Sequence, residues 1–119
     1  TMKIFIGTAS DYTKKLCSTL DELSVEYTSD RKDKNSCDLL LYVVTTDLNG
    51  VSHIIEAVND SNHWTEKTIF CTLLDATDEK FNDHQVKSLI ATGKMIRVNG
   101  GNWFESEKAL LDFIKQRLS

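Results

Sequence analysis

The chain contains no proline and only five glycines in 119 residues. It has no proline-rich or low-complexity stretch, so nothing reads as a linker, and no internal repeat is visible. One domain is therefore expected over residues 1–119, a length that suffices for a real hydrophobic core without disulfide staples. No apolar run approaches the roughly 18 residues of a membrane-spanning helix, which argues against a membrane partner. The three cysteines, Cys17, Cys37 and Cys71, are odd in number, far apart and include no CxxC pair. Such a set reads as reduced thiols, not as a disulfide framework. Cys17 and Cys71 fall on apolar faces and Cys37 has no histidine at a recognisable offset, so a thiol nucleophile is not expected. No His/Cys/Asp spacing resembles a zinc site, and we expect neither metal nor cofactor. Positive charge is also scarce: 14 Lys and Arg stand against 18 Asp and Glu, a formal net charge of −4. That balance disfavours a nucleic-acid backbone or an anionic membrane as the main partner, and leaves a small nucleoside or nucleotide open. No leader-like stretch precedes the strand-like pattern that starts at Lys3, so a cytoplasmic location is expected.

What is present is a regular alternation. Five short apolar runs read as strands: residues 3–6, 24–28, 38–45, 68–74 and 95–98. The run at 38–45 is the longest and is apolar on both alternating faces, as a central strand covered on both sides must be. The run at 24–28 alternates and reads as an edge strand. Between the runs, apolar residues recur at helical spacing. Leu16, Leu20 and Leu23 are one set. Val51, Ile54, Ile55 and Val58 are a second, at i, i+3, i+4 and i+7. Val86, Leu89 and Ile90 form a third, and Leu110, Leu111, Ile114 and Leu118 a fourth. Alternating β and α units predict a doubly wound α/β fold of the flavodoxin-like or Rossmann-like type. Its five-stranded parallel sheet should have the order 2-1-3-4-5, with helices on both faces. The polar stretch at residues 30–36 reads as a solvated connection.

In such a fold, ligands bind beyond the carboxyl ends of the strands, where the strand order switches. That rule brings residues 7–10, after the first strand, beside residues 45–50, after the third. It places Asn99 and its neighbours farther along the same edge. Residues 8–13 resemble the hydroxyl-rich phosphate loop of flavodoxins, but Asp11 stands where that loop needs glycine, so FMN is not expected. Ser10 or Asp11 is instead expected to cap the first helix. Gly7 and Thr8 occupy the place where a response-regulator receiver needs an acidic pair, which excludes that class. Glu56 is the carboxylate of most interest. On the helical wheel it projects away from the stripe of Val51, Ile54, Ile55 and Val58, with Ser52 at i−4 and Asp60 at i+4.

Residues 37–62, CDLLLYVVTTDLNGVSHIIEAVNDSN, resemble the nucleoside 2-deoxyribosyltransferase-like family, and in particular its short bacterial and phage branch. Residues 66–71, Asn99 to Gly101 and Lys3 to Gly7 continue the likeness over most of the chain. The resemblance implies an enzyme acting on the N-glycosidic bond of a nucleoside or nucleotide, by sugar transfer or hydrolysis. By position, Glu56 matches the family's nucleophilic glutamate. The resemblance further implies Asp47 as a catalytic acid or sugar ligand. Gly7, Thr8, Asn49, Gly50, Ser52 and Asn99 would bind substrate. It also implies a possible homo-oligomer, with Trp64 and Trp103 as candidate interface residues. Thr45, Thr46 and Gly50 stand where the family's enzymes carry two aspartates. A non-catalytic module that senses or sequesters a nucleotide-derived ligand is therefore a second reading of the same shell.

Overall fold

A computed structural model of the chain describes residues 2–46, 51–74 and 80–118. The order of elements is β1 (Lys3–Ile6), α1 (Asp11–Glu22), β2 (Glu26–Thr28), a 3-10 turn (Arg31–Ser36) and β3 (Leu39–Val44). There follow α2 (Ser52–His63), a short 3-10 turn (Thr65–Lys67), β4 (Thr68–Thr72), α3 (Asp83–Val98), β5 (Asn102–Phe104) and α4 (Glu107–Leu118). The strands form one all-parallel sheet in the order β2-β1-β3-β4-β5. This is the doubly wound arrangement that the alternation predicts. Among the described residues, no helix is long and apolar enough to cross a membrane.

Two cores follow from the period of two along the strands. Ile4 and Ile6, with Leu39, Leu41 and Val43 and with Ile69 and Cys71, face Leu16 and Leu20 of α1 and Leu110 and Ile114 of α4. Phe5, Leu40, Tyr42, Val44 and Phe70 point the other way, against Ala57 of α2 and Leu89 and Ile96 of α3. All six residues of β3 are buried, which is why that run carries no polar alternation. Ser10, not Asp11, caps α1: its side chain accepts from the Thr13 backbone N–H at 3.2 Å.

The fifth strand does not lie where the apolar run at 95–98 suggests. That run is the last turn of α3, and β5 follows at Asn102–Phe104. Leu89, Gly93 and Ile96 continue a helical face at spacings of four and three, whereas Met95 and Val98 are exposed. Gly93 makes the packing possible, because a Cβ there would stand 2.2 Å from the Trp103 indole. Trp103 is buried under α3, and its ring N–H donates to Thr72 Oγ1 at 3.2 Å. It is a core residue, not a free interface. Trp64 is half-buried against the same core.

The connection between β2 and β3 also departs from the sequence reading. Residues 31–36 wind into a 3-10 turn that carries the chain from the carboxyl edge of the sheet back to its amino edge. Asp30 caps its start by accepting from the Lys32 N–H at 3.0 Å. Lys67 closes its end by donating to the carbonyls of Lys34, Asn35 and Cys37 at 3.2, 3.4 and 2.9 Å. A cation on the terminal carbonyls is the favourable arrangement at such an end.

Candidate functional site

The site lies where β1 and β3 end and α2 begins. Gly7 follows β1 and continues its pairing by donating to the Leu41 carbonyl at 2.9 Å. The position requires glycine, since a Cβ would stand 2.2 Å from the Tyr42 ring. The next residue, Thr8, is buried, and its Oγ1 accepts from the Val43 N–H at 3.2 Å. Thr8 thus extends the ladder between β1 and β3, and its hydroxyl is committed to backbone. The Gly7 carbonyl faces His53 Nδ1, in the first turn of α2, at 3.1 Å. A carbonyl only accepts, so Nδ1 carries the proton in this contact. Ser52, the first residue of α2, is exposed at the same edge. Asp47, Asn49 and Gly50 lie outside the described residues.

Glu56 is not turned away from the body of the protein. The buried face of α2 is made by Ala57, Asp60 and Ser61. Of the stripe expected against the sheet, Ile54 and Val58 pack on the core, whereas Val51 and Ile55 are each 65% exposed. The helix is rolled so that Glu56 and Asp60, at i and i+4, face the 3-10 turn across Phe5 and Tyr42. The Glu56 side chain is 19% exposed. Arg31 grips it with two parallel bonds, Nη2 to Oε1 at 2.7 Å and Nε to Oε2 at 3.0 Å. Lys34 Nζ donates to Oε2 at 2.9 Å and continues to Asp60, reaching Oδ2 at 2.8 Å and Oδ1 at 3.0 Å. The buried end of the network is Asp60, 1% exposed, which accepts a short hydrogen bond from the Tyr42 hydroxyl. Lys34 is 11% exposed, and its ammonium lies 5.3 Å from the Phe5 ring centroid and 5.5 Å from that of Trp64. Arg31, at the outer end, is 55% exposed and also reaches the Gly7 carbonyl at 3.4 Å.

Two carboxylates and two cations thus alternate from solvent to core. Partial burial alone would raise the Glu56 pKa. The hydrogen bonds from Arg31 and Lys34, with their charges, outweigh it and hold the carboxyl below its ordinary value of 4.5. Burial, then the hydrogen bond to Asp60 and that residue's charge, push the Tyr42 hydroxyl up, so Tyr42 is a neutral donor at any working pH. The arrangement presents an ionised, oriented carboxylate near the carboxyl edge of the sheet.

Asn99 does not join this group. It follows α3 and precedes β5, which puts it at the amino edge of the sheet, where it donates to Ser61 Oγ at 3.0 Å. Its misplacement follows directly from the misplaced fifth strand. Conversely, Arg31 and Lys34 were hidden in a stretch read as solvated connection, and Tyr42 in a core strand. A pairing of spacings marks them in retrospect. Arg31 and Lys34 are i, i+3, which share a face in a 3-10 turn, and Glu56 and Asp60 are i, i+4, which share a face in an α-helix.

Among the described residues, no group of three or more His, Cys, Asp or Glu side chains converges as a metal site. A separate cleft of about 460 Å³ is lined by Tyr12 and Lys15 of α1, Leu73 and Leu74 beyond β4, and Glu105, Ser106 and Glu107 before and at the start of α4. The Tyr12 hydroxyl spans it, donating to Glu107 at 2.9 Å. The chain is a doubly wound α/β protein with a partly buried ionic cluster beside the ends of β1 and β3. No family model, curated protein or solved structure matches the chain.

Proposed function

We propose that the protein acts on the N-glycosidic bond of a nucleoside or nucleotide, with Glu56 as the nucleophile on the anomeric carbon. The observation that carries this reading is the held, ionised state of Glu56 beside the switch point, in a segment that resembles the deoxyribosyltransferase-like family. A lone pair on a Glu56 oxygen forms the bond to the anomeric carbon. The electrons of the carbon–nitrogen bond leave with the base, whose ring nitrogen is protonated or hydrogen-bonded as it departs. A second base or water then displaces the carboxylate, as in retaining glycosidases. Glu56 is ionised at neutral pH, as the role requires, and attack needs one of its oxygens to be released by the cations that hold it. In this reading Asp47, Asn49 and Ser52 contact the sugar, and Gly7 lies beside it. The test is incubation with a panel of 2′-deoxynucleosides and their 5′-monophosphates, followed by chromatographic detection of free base. Base release is expected from the native protein and should fall by roughly a thousandfold or more in Glu56→Gln. Turnover retained in that variant refutes the role of Glu56.

One observation favours a second reading. Both Glu56 oxygens are already engaged, Oε1 by Arg31 and Oε2 by Arg31 and Lys34. A module that binds a nucleotide-derived ligand without turnover needs no free oxygen there. It predicts ligand-dependent thermal stabilisation, no base release, and binding that survives in Glu56→Gln.

A further inference from the structure

We infer that Arg31 is the anchor for a phosphate monoester on the ligand, and that this anion takes Arg31 from Glu56 as it binds. The inference deepens the nucleoside or nucleotide reading and rests on it for the remainder of the ligand.

The two cations on Glu56 differ in their freedom to leave. Lys34 is nearly buried, holds Asp60 with its other bonds, and is wedged between Phe5 and Trp64. Moving it would strand a buried carboxylate. Arg31 is more than half exposed. Beyond Glu56 it has a long 3.4 Å bond to the Gly7 carbonyl and the Phe5 ring 5.7 Å away. Its Nε and Nη2 already donate in parallel to two oxygens of one anion. The same fork fits two oxygens of a phosphate, which carries more charge than a carboxylate. Exchange of the small anion for the side chain is therefore chemically matched, and a neutral nucleoside offers nothing equivalent.

The consequence for Glu56 is specific. Once Arg31 leaves, Lys34 still compensates the carboxylate through Oε2. Oε1, which Arg31 Nη2 holds at 2.7 Å, is uncovered. One cation stays and one exchanges, so the anion both anchors the ligand and exposes a single oxygen.

The experiment measures calorimetric affinity for three probes: inorganic phosphate, a 2′-deoxynucleoside, and its 5′-monophosphate. Each is titrated into the native protein, Arg31→Gln, Arg31→Lys and Glu56→Gln, while the Arg31 Nε resonance is followed by NMR. The native protein should bind the monophosphate roughly tenfold or more tightly than the nucleoside, with a shift of the Arg31 resonance. That preference should vanish in Arg31→Gln and be partial in Arg31→Lys, which keeps the charge and loses the fork. Glu56→Gln should bind phosphate and monophosphate more tightly than the native protein, because the competing carboxylate is gone. A merely structural ion pair predicts no such gain.

Equal affinity for nucleoside and monophosphate overturns the anchor and leaves the glycosidic reading standing. So does a preference that survives in both Arg31 variants. Phosphate and monophosphate binding through Arg31, with no nucleoside binding and no base release, keeps the anchor and refutes the glycosidic reading. Absence of binding by all three probes overturns the anchor.

Discussion

Replacing Lys34 by methionine keeps the unbranched apolar stem between Phe5 and Trp64 and deletes the ammonium. In the native protein that ammonium contacts Glu56 at 2.9 Å and Asp60 at 2.8 and 3.0 Å. Glu56 retains Arg31. Asp60 does not fare as well: it is 1% exposed and is left with the Tyr42 hydroxyl as its remaining described donor. Removing one partner of a buried ion pair costs about 3–5 kcal/mol, because the other charge stays buried without compensation. Domains of this size have total stabilities of only about 5–15 kcal/mol. With an unfolding entropy of about 2.1 cal/mol/K per residue, 119 residues convert that loss into a fall in Tm of roughly 12–20 °C. Urea and thermal unfolding at pH 7 measure it directly. Adding Asp60→Asn to Lys34→Met removes the stranded charge, so the double variant should recover most of the loss, and the cycle should report a strong coupling.

The pH dependence gives a second reading of the same variant. Glu56 has a folded pKa below its ordinary value of 4.5. Its contribution to stability is therefore fully present above that value and is lost as pH falls through the lower folded pKa. Lys34→Met removes one of the two cations that depress it, so the part of the acid slope below pH 4.5 that belongs to Glu56 should shrink. A cost under about 1 kcal/mol at pH 7 would put the pair among surface salt bridges. With no change in the acid slope as well, it would refute the description of a buried, alternating network.

Two further outcomes are expected, one beside the ionic cluster and one in the core. Gly7→Ala should drive a methyl into the Tyr42 ring, where the Cβ has only 2.2 Å. The cost should be about 1–3 kcal/mol in urea unfolding, and an unchanged midpoint would mean that Tyr42 is free to move aside. Burial pushes the Cys71 thiol up to about 12, whereas Cys17 is only half-buried. Thiol labelling of the native protein at pH 8 should therefore modify Cys17 first and reach Cys71 only after denaturation, and early labelling of Cys71 would contradict its placement in the core.

Much of the fold was legible because it depends on periodicity and chain connection. The run at 38–45 has no polar face, and β3 is central and wholly buried. Ser10 has the residue type that caps helices, and it does so. The error at 95–98 shows the limit. Four apolar and basic residues cannot declare whether they are a strand or the last turn of a helix. Gly93 settled the matter by letting Trp103 approach α3, a contact with a residue ten positions away. Asn99 was carried to the wrong edge of the sheet by that one exchange.

The candidate site divides along the same line. The sequence by itself determined that a carboxylate, Glu56, sits early in the helix after the central strand, and that this helix starts at the switch in strand order. Those are matters of local spacing and of the handedness of parallel crossovers. Only the tertiary structure decided which way the helix is rolled. The roll leaves Val51 and Ile55 outside and carries Glu56 and Asp60 toward the Arg31–Ser36 turn. Ile54, Ala57 and Val58 pack on the core, and the same roll sets two carboxylates against two cations over Phe5 and Tyr42.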